Sequence, residues 1–180
     1  ITLEIQYRWN KKFNQGVHLT DRNEFLSGEA ETIWSNSEPE EMPYWLPGDR
    51  QPTNRATWKL KVRAPKAYTV ISNGALVSEV PQGEYKITQW SQKEPMSSYL
   101  FTMMVGKYAR AQDQWRGMPV HYYGVQDKIK NIAYALRTTP TALSFFSDKI
   151  GYEYPYAKYA QVVVSRYSWG GMEHTTATTL

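Results

Sequence analysis

Hydrophobic and polar residues alternate over several short stretches in the first part of the chain. The segment Ile1 to Tyr7 alternates apolar and polar side chains, which predicts a strand with one buried and one exposed face. Trp58 to Val62 follows the same pattern, and Ala64-Pro65 ends it. The alternation returns from Tyr85 to Gln89. A period of two is typical of antiparallel sheets that bury one face.

Two further strands are predicted on either side of a turn signal. Residues 68–72 and 75–80 flank Asn73-Gly74, a pair suited to the positive φ angles of a tight hairpin turn. The nearly unbroken apolar run from Tyr99 to Val105 is short enough to be a strand buried on both faces. Several short strands separated by turns predict a mainly β chain that forms an antiparallel β-sandwich.

The hydrophobic period lengthens after Val125. Apolar residues then recur at helical spacing, with lysine and arginine on the other faces, at Ile129, Ile132, Ala133 and Leu136. This change predicts a domain boundary at about Tyr122. Residues 1–122 would form the sandwich, and residues 123–180 would begin a second domain.

A second helix is predicted to begin at Pro140, with Thr139 as its N-cap. The stripe predicted to be buried consists of Leu143, Phe146 and Ile150. Gly151 follows at the position of a C-cap. After a loop rich in tyrosine and proline, residues 161–165 predict one more strand, built on three consecutive valines.

Composition and charge narrow the classes of protein to be considered. Hydrophobic residues make up 41% and charged residues 21%, a balance typical of globular domains. No apolar run approaches the ~20 residues of a membrane span. The 21 basic and 17 acidic residues are mostly interspersed, so the net charge of +4 gives no dense basic face for a nucleic acid. The chain opens on a strand pattern and not on a signal peptide, so we expect it to begin inside a longer protein.

Cysteine and histidine content bears on metal binding. The chain has no cysteine, which excludes disulfides and thiolate metal sites. His18, His121 and His174 are far apart and form no His-x-x-x-His pair, so we expect no zinc site contained within this chain. The seven tryptophans and fourteen tyrosines are expected to pack in the core and between domains, although a row of exposed aromatic rings would suit a carbohydrate.

The stretch Trp169-Gly170-Gly171-Met172-Glu173-His174 carries the clearest chemical signal. Two consecutive glycines after a predicted strand allow another backbone to approach closely, because no Cβ stands in the way. A carboxylate two positions later is then placed to meet whatever that backbone presents. Taken alone, the stretch fits a Gly-Gly turn followed by a surface glutamate better than it fits a binding site, because short motifs are weak signals.

Three other stretches accompany this one in a fixed order: Trp45 to Pro52, Pro95 to Phe101, and Tyr154-Pro155-Tyr156-Ala157-Lys158-Tyr159. Gly-Gly-Met-Glu-His resembles the Gly-Ala-Met-Glu-Asn exopeptidase motif of the aminopeptidase N family of zinc metallopeptidases. The other three are similar to that family's Phe-Pro-x-x-Asp-x-Pro, Pro-Met-x-x-Tyr-Leu and Tyr-Pro-x-x-Lys-Tyr segments. Four separated matches in the right order are far more specific than any one of them.

The resemblance implies both a fold and a set of binding residues. The fold would be a saddle-like β-sandwich followed by the truncated start of a thermolysin-like α+β catalytic domain. Glu173 would hold the free α-ammonium group of a peptide, with Glu38 as a second acidic partner. Glu40 and Glu41 lie close enough in sequence to be alternatives to Glu38. Three residues would lie along the substrate backbone near the scissile bond: Gly170, Gly171 and Met172.

Two departures from the family pattern affect this assignment. His174 stands where the family has asparagine. It would either alter hydrogen bonding to the substrate and the local response to pH, or serve as a polar residue that fixes the loop. The arginine that often follows the Glu38 position is absent, and Met42-Pro43 is there instead.

The resemblance also implies a zinc ion whose ligands are not in this chain. Members carry His-Glu-x-x-His and a later glutamate after the exopeptidase motif, and the chain ends at Leu180 before any such residues. We therefore expect no catalytic and no metal-binding residue within the chain, and no peptidase activity from it alone. Its expected partners are a peptide with a free N-terminus and the remainder of the catalytic domain. The alternative function is a non-catalytic β-sandwich module that binds peptides or acts as a scaffold.

Overall fold

The chain forms mainly β-strands, as predicted from the alternating pattern. The structure is a computed structural model that describes residues 2–8, 15–20, 32–165 and 167–180. The elements in chain order are β1 (Val17–Thr20), β2 (Thr32–Ser35), β3 (Arg55–Pro65), β4 (Thr69–Ser72), β5 (Ala75–Gln82), β6 (Tyr85–Ser97), β7 (Met103–Gly106), β8 (Tyr108–Trp115), β9 (Met118–Val125), α1 (Ile129–Leu136), α2 (Thr139–Ile150), β10 (Tyr159–Val162) and β11 (Thr178–Thr179).

The strands are arranged in three sheets. A central sheet has the order β1-β2-β7-β4, and an outer sheet has the order β3-β6-β5; both are antiparallel. A third sheet, here called the mixed sheet, has the order β11-β10-β9-β8. In it β8 and β9 are antiparallel, whereas β10 runs parallel to both β9 and β11.

The central sheet is buried on both faces. Val70 and Val105 pack with Trp90 of the outer sheet, while their neighbours Ile71 and Met104 pack into a cluster with residues of the mixed sheet. Successive side chains of a strand point to opposite faces, so β4 and β7 supply both cores at once. Ile71 and Met104 are completely buried, and each contributes about 2 kcal/mol of hydrophobic stabilisation.

The predicted boundary at about residue 122 falls inside strand β9. This strand is hydrogen-bonded to β8 before it and to β10 after it, so the mixed sheet contains residues from both sides of that position. The division into 1–122 and 123–180 therefore stays a prediction.

Several of the predicted local structures are wrong. The apolar run from Tyr99 to Val105 forms a strand only from Met103 onward and begins within a short 3-10 helix. Residues 2–8 are described without strand structure and are exposed, because alternation makes a strand only where a neighbouring strand offers backbone partners. The segments on either side of Asn73-Gly74 do form strands, but they do not pair as a hairpin: β4 pairs with β7, and β5 pairs with β6. Asn73-Gly74 is thus a crossing between two sheets.

Gly74 is required at this crossing. Its φ angle is +74°, and a Cβ there would lie 2.0 Å from the carbonyl oxygen of Ser91. The Asn73 side chain accepts a hydrogen bond from the Thr102 N–H at 2.8 Å and donates one to the Leu100 carbonyl at 3.0 Å. The Asn73 side chain therefore binds the crossing to the segment that leads into β7.

The helices confirm the lengthened period but not the predicted burial. Helix α1 begins and ends where the pattern predicts, and α2 ends at Gly151 with a φ of +71°. Thr138, and not Thr139, is the N-cap residue of α2. Phe146 and Ile150 are 58% and 72% exposed and line an apolar groove of about 520 Å³. We call this groove the α2 groove; no described element covers it, which is why the predicted stripe is not buried.

Neither helix resembles a membrane span. Among the described residues, no helix is both long enough and apolar enough to cross a bilayer.

Candidate functional site

Two of the acidic residues selected from the sequence line one cleft. Glu38 and Glu173 lie in a cleft of about 290 Å³ whose remaining described lining residues are Pro39, Pro52 and Tyr99. Both carboxylates belong to exposed residues. We call this feature the acidic cleft.

Three of the four motif stretches meet at the acidic cleft. Pro52 belongs to the first, Tyr99 to the second and Glu173 to the last. The Ser97 hydroxyl donates to the Pro52 carbonyl at 2.6 Å, and the adjacent Ser98 hydroxyl donates to the Asp49 carbonyl at 2.8 Å. These bonds join the loop before β3 to the end of β6, so the first two stretches form one wall.

The three neighbouring acids Glu38, Glu40 and Glu41 make different contacts. The Glu41 carboxylate accepts a hydrogen bond from the Gly16 N–H at 2.7 Å, and Glu40 forms an ion pair with Arg50 at 3.6 Å. Of the three acids, Glu38 is the one among the described lining residues of the acidic cleft. The geometry therefore favours Glu38 over the two alternatives.

Glu38 is held next to a buried anchor. The neighbouring Ser37 is fully buried, and its hydroxyl accepts a hydrogen bond from the Trp45 indole N–H at 3.0 Å. Trp45 stacks on Phe101, with ring centroids 5.6 Å apart. An exposed carboxylate is thus attached to a rigid part of the core.

The loop that carries Glu173 is closed on itself. Met172 and Thr179 exchange two backbone hydrogen bonds, at 2.9 and 3.0 Å. The His174 ring Nδ1 lies 2.8 Å from the Thr179 hydroxyl, which ties the same two ends together. Glu173 therefore projects from a short, doubly bonded turn.

His174 is a structural residue of this loop. Its side chain is 1% exposed, and burial lowers its pKa to about 3. The imidazole is therefore neutral at pH 7. Of the two interpretations of the asparagine-to-histidine departure, the structure favours a polar residue that fixes the loop.

The central sheet and the third motif stretch hold the Glu173 loop in place. The Asn73 amide donates to the Thr175 carbonyl at 2.6 Å, and the Gly74 N–H donates to the Thr176 hydroxyl at 2.7 Å. The buried Lys158 ammonium donates to the Thr176 carbonyl at 2.8 Å and to the Ser72 carbonyl at 3.0 Å. Glu173 is thereby positioned relative to the part of the chain that carries Glu38.

The glycines before Glu173 do not line the acidic cleft. Gly170 has a φ of +76° and no atom within 4 Å of an added Cβ, so its surroundings are open. Gly171 backs onto Leu180, whose Cδ2 would lie 3.3 Å from an added Cβ, and Met172 is buried. That Gly170, Gly171 and Met172 lie along a substrate backbone stays a prediction.

Tyr167 is a residue near the acidic cleft that sequence reasoning missed, although it is not among the described residues that line the cleft. Burial, followed by the negative charges of Glu173 and Glu38, raises the pKa of its hydroxyl to about 12. That hydroxyl is buried and has no hydrogen-bond partner among the described residues. Its ring packs edge-on against Trp34 and Trp169, with centroids 5.5 and 5.4 Å away. No pattern in the sequence distinguishes it from the other thirteen tyrosines.

The structure offers no ligand set for the zinc ion that the resemblance implies. In the described ranges, no three His, Cys, Asp or Glu residues are grouped so as to hold a metal ion. The residues present therefore do not fit that ion. What they do form is a cleft with two carboxylates and a nearby hydroxyl, an arrangement that suits a small organic cation such as an ammonium group.

Comparison with known proteins relates the chain to the M1 peptidases. The Peptidase M1 N-terminal domain family matches residues 1–100. The chain is 28% identical to the probable M1 family aminopeptidase 2 of Encephalitozoon cuniculi, over 83% of this chain and 18% of that protein. It is 29% identical to aminopeptidase N of Streptomyces lividans, over 72% of this chain and 15% of that protein. It is 26% identical to glutamyl aminopeptidase of Rattus norvegicus, over 97% of this chain and 18% of that protein.

The fold and these matches together define a β-rich chain that contains a Peptidase M1 N-terminal domain. The chain belongs to the aminopeptidase N family, the M1 peptidases. It spans less than a fifth of the length of the three relatives named above.

Proposed function

We propose that this chain supplies the amine-binding part of a zinc-dependent aminopeptidase that removes N-terminal residues from peptides. Glu173 and Glu38 bind the free α-ammonium group of the substrate. The metal ligands and the catalytic residues lie outside the chain, so the chain alone has no peptidase activity. The remainder of the catalytic domain is its partner in the complete protein.

One observation carries this proposal: Glu38 and Glu173, far apart in sequence, line the same acidic cleft. Neither acid has an ion pair recorded among the described residues, whereas the neighbouring Glu40 pairs with Arg50. The names of the relatives, which include aminopeptidase N and glutamyl aminopeptidase, support a substrate with a free N-terminus.

The charges of the acidic cleft select peptide ends over internal peptide bonds. An α-amino group has a pKa of about 7.7–8.0, so it is largely protonated at neutral pH. An internal peptide bond offers one N–H and no charge, and it would leave Glu38 and Glu173 without a counterion when the cleft is filled. The distance from the ammonium site to the reacting bond then limits cleavage to the first residue.

The test compares two substrates on the full-length protein. A dipeptide amide with a free amine and its N-acetylated form are hydrolysed in parallel, by the wild type, Glu173→Gln and Glu38→Gln. We expect cleavage of the free-amine substrate only, with kcat/KM about a hundredfold lower in Glu173→Gln, because one partner of the charge pair is lost. Glu40→Gln is the matched control for Glu38→Gln. It removes one negative charge from the loop that carries Glu38 but not from the acidic cleft, so it should retain wild-type activity.

Each other outcome identifies what is wrong. Equal cleavage of the free and acetylated substrates would exclude amine recognition by the acidic cleft. Activity that survives treatment with a metal chelator would exclude the zinc-dependent reaction. No cleavage of either substrate by the metal-loaded protein would favour the alternative function, a non-catalytic β-sandwich module that binds peptides or acts as a scaffold.

A further inference from the structure

A second cavity, of about 230 Å³, lies where the outer sheet meets the mixed sheet. Its ionisable walls are Arg110, His121 and Lys158, and the rings of Trp90 and Tyr123 contribute to it. No Asp or Glu is among the described residues that line it, and it shares none of them with the acidic cleft. We call it the basic cavity.

The register of β8 and β9 places the polar residues of one wall of the basic cavity close together. Arg110 of β8 is the direct partner of Tyr123 in β9. His121 lies two residues before Tyr123, so its side chain points to the same face of the strand. Cross-strand partners on one face lie close together, and the alternation thus places Arg110, His121 and Tyr123 on one wall.

The positive charges in the basic cavity act on one another without an acid among the described lining residues to offset them. Burial, then the charges of Arg110 and Lys158, lowers the pKa of His121 to about 4. The His121 Nδ1 is buried and has no hydrogen-bond partner among the described residues. Glu79 on β5 lies near enough to sense Arg110, but its carboxylate is paired with Lys86 at 2.9 Å.

We propose that the basic cavity binds a small oxyanion of the phosphate or sulfate class. The Arg110 guanidinium is exposed and presents several N–H groups in a planar fork that matches two oxygens of such an ion. His121 adds a positive charge when its imidazole is protonated. The Lys158 ammonium contributes charge only, because its protons are directed to Ser72 and Thr176.

A bound oxyanion couples to protonation of His121. The anion offsets the charges of Arg110 and Lys158, so it raises the pKa of His121, and by linkage the anion binds more tightly as the pH falls. Between pH 6 and pH 5 the other facing groups keep their charges. Lys158, with a pKa lowered to about 7 by burial, is already protonated. Burial raises the pKa of Glu79, but Lys86, Thr88 and Arg110 together lower it more, so Glu79 stays ionised.

The experiment measures sulfate binding to the full-length protein by isothermal titration calorimetry at constant ionic strength. Sulfate is the probe because it stays doubly charged over this range of pH. We expect saturable binding to the wild type and at least about tenfold weaker binding to Arg110→Gln, since charge-assisted hydrogen bonds are lost. Arg63→Gln is the matched control: Arg63 is an exposed arginine of β3 that stacks on Tyr85, outside the basic cavity, and its loss should leave sulfate affinity unchanged.

A second series of titrations, at several pH values, tests the contribution of His121 to sulfate binding. The affinity of the wild type should rise from pH 6 to pH 5, and His121→Asn should make it nearly independent of pH in that interval. Inorganic phosphate and glycerol phosphate, compared at pH 6, distinguish a free ion from a phosphate ester as the occupant.

Three results would overturn the proposal. The first is the absence of saturable sulfate binding to the wild type. The second is an equal loss of affinity in Arg110→Gln and Arg63→Gln, which indicates a general effect of net charge. The third is an unchanged pH dependence in His121→Asn. The melting temperatures of the variants without sulfate confirm that each is folded before its binding is compared.

Discussion

At the scale of single residues, several polar groups of this chain belong either to the acidic cleft or to the loop that supports it. Glu38 and Glu173 are exposed and line the cleft, whereas His174, adjacent to Glu173, is buried and neutral. The negative charges of the two carboxylates contribute, after burial, to the raised pKa of Tyr167. Neighbours in sequence thus have opposite environments, and the environment determines their chemistry.

The lowered pKa of the buried His174 predicts that the loop opens more readily in acid. Its pKa is about 3 in the folded loop and about 6.5 when unfolded, so the open state binds more protons below pH 6.5 and stability is lost as the pH falls. From pH 7 to pH 5 the opening free energy of the loop should fall by about 2 kcal/mol. Hydrogen exchange of residues 172–179, corrected for intrinsic rates, should therefore be about thirtyfold faster at pH 5.

The matched variant for this measurement is His174→Asn, which keeps a polar side chain that does not titrate. Its exchange, corrected in the same way, should hardly change between pH 7 and pH 5. If the variant shows the same acid sensitivity as the wild type, the protonation of His174 is not the cause.

At the scale of elements, the site depends on how the Glu173 loop is attached to the central sheet. Lys158, which precedes β10, donates to Ser72 at the end of β4 and to Thr176 in the loop. The Gly74 N–H at the crossing between β4 and β5 contacts the same threonine. The crossing, which the sequence pattern presented as a hairpin, is therefore a support of the candidate site.

Lys158→Met should loosen the Glu173 loop. Methionine fills similar space but donates no hydrogen bond, so the Ser72 and Thr176 carbonyls each lose a charge-assisted hydrogen bond, worth about 1.5–3 kcal/mol. The Thr176 carbonyl keeps the Ala160 N–H as a partner at 3.0 Å. We expect faster hydrogen exchange in residues 172–179 and a higher KM for the free-amine substrate in the full-length protein. Lys130→Met, on the exposed face of α1, removes the same charge elsewhere and should change neither quantity. Equal effects of the two substitutions would exclude this role of Lys158.

At the scale of the whole molecule, the α2 groove is an apolar feature that no described element covers. Phe146 and Ile150 are exposed in it, beside Tyr152 and Tyr154. Grooves of this kind mark sites where another part of a protein packs. The remainder of the catalytic domain is the proposed occupant, consistent with a chain that spans less than a fifth of the three relatives named above.

This assignment predicts that lysine substitutions at two exposed apolar residues will lower the melting temperature by different amounts. In the full-length protein, Ile150→Lys should lower the melting temperature by several degrees, because a charge is then buried under the covering domain. Val77→Lys on β5 replaces a residue that is 54% exposed and should have little effect. Equal, small changes in melting temperature would show that the α2 groove stays open in the complete protein.

The sequence by itself determined the local elements and the kinship of the chain. Alternation identified β3 and β6, the 3.6-residue period identified α1, and Gly74 and Gly151 marked the positions of positive φ. The four ordered motif stretches indicated the family. These signals depend only on neighbouring residues or on the order of motifs along the chain, so they can be identified from the sequence alone.

Only the tertiary structure decided which elements meet. It paired β4 with β7 instead of β5, left the α2 stripe exposed, and selected Glu38 over Glu40 and Glu41 by placing it opposite Glu173. The physical reason is that a period of two or 3.6 specifies which face of an element is apolar but not which partner covers it. Partner choice depends on packing and hydrogen bonds between residues that are distant in sequence, such as Lys158 with Ser72, and these exist only in the folded chain.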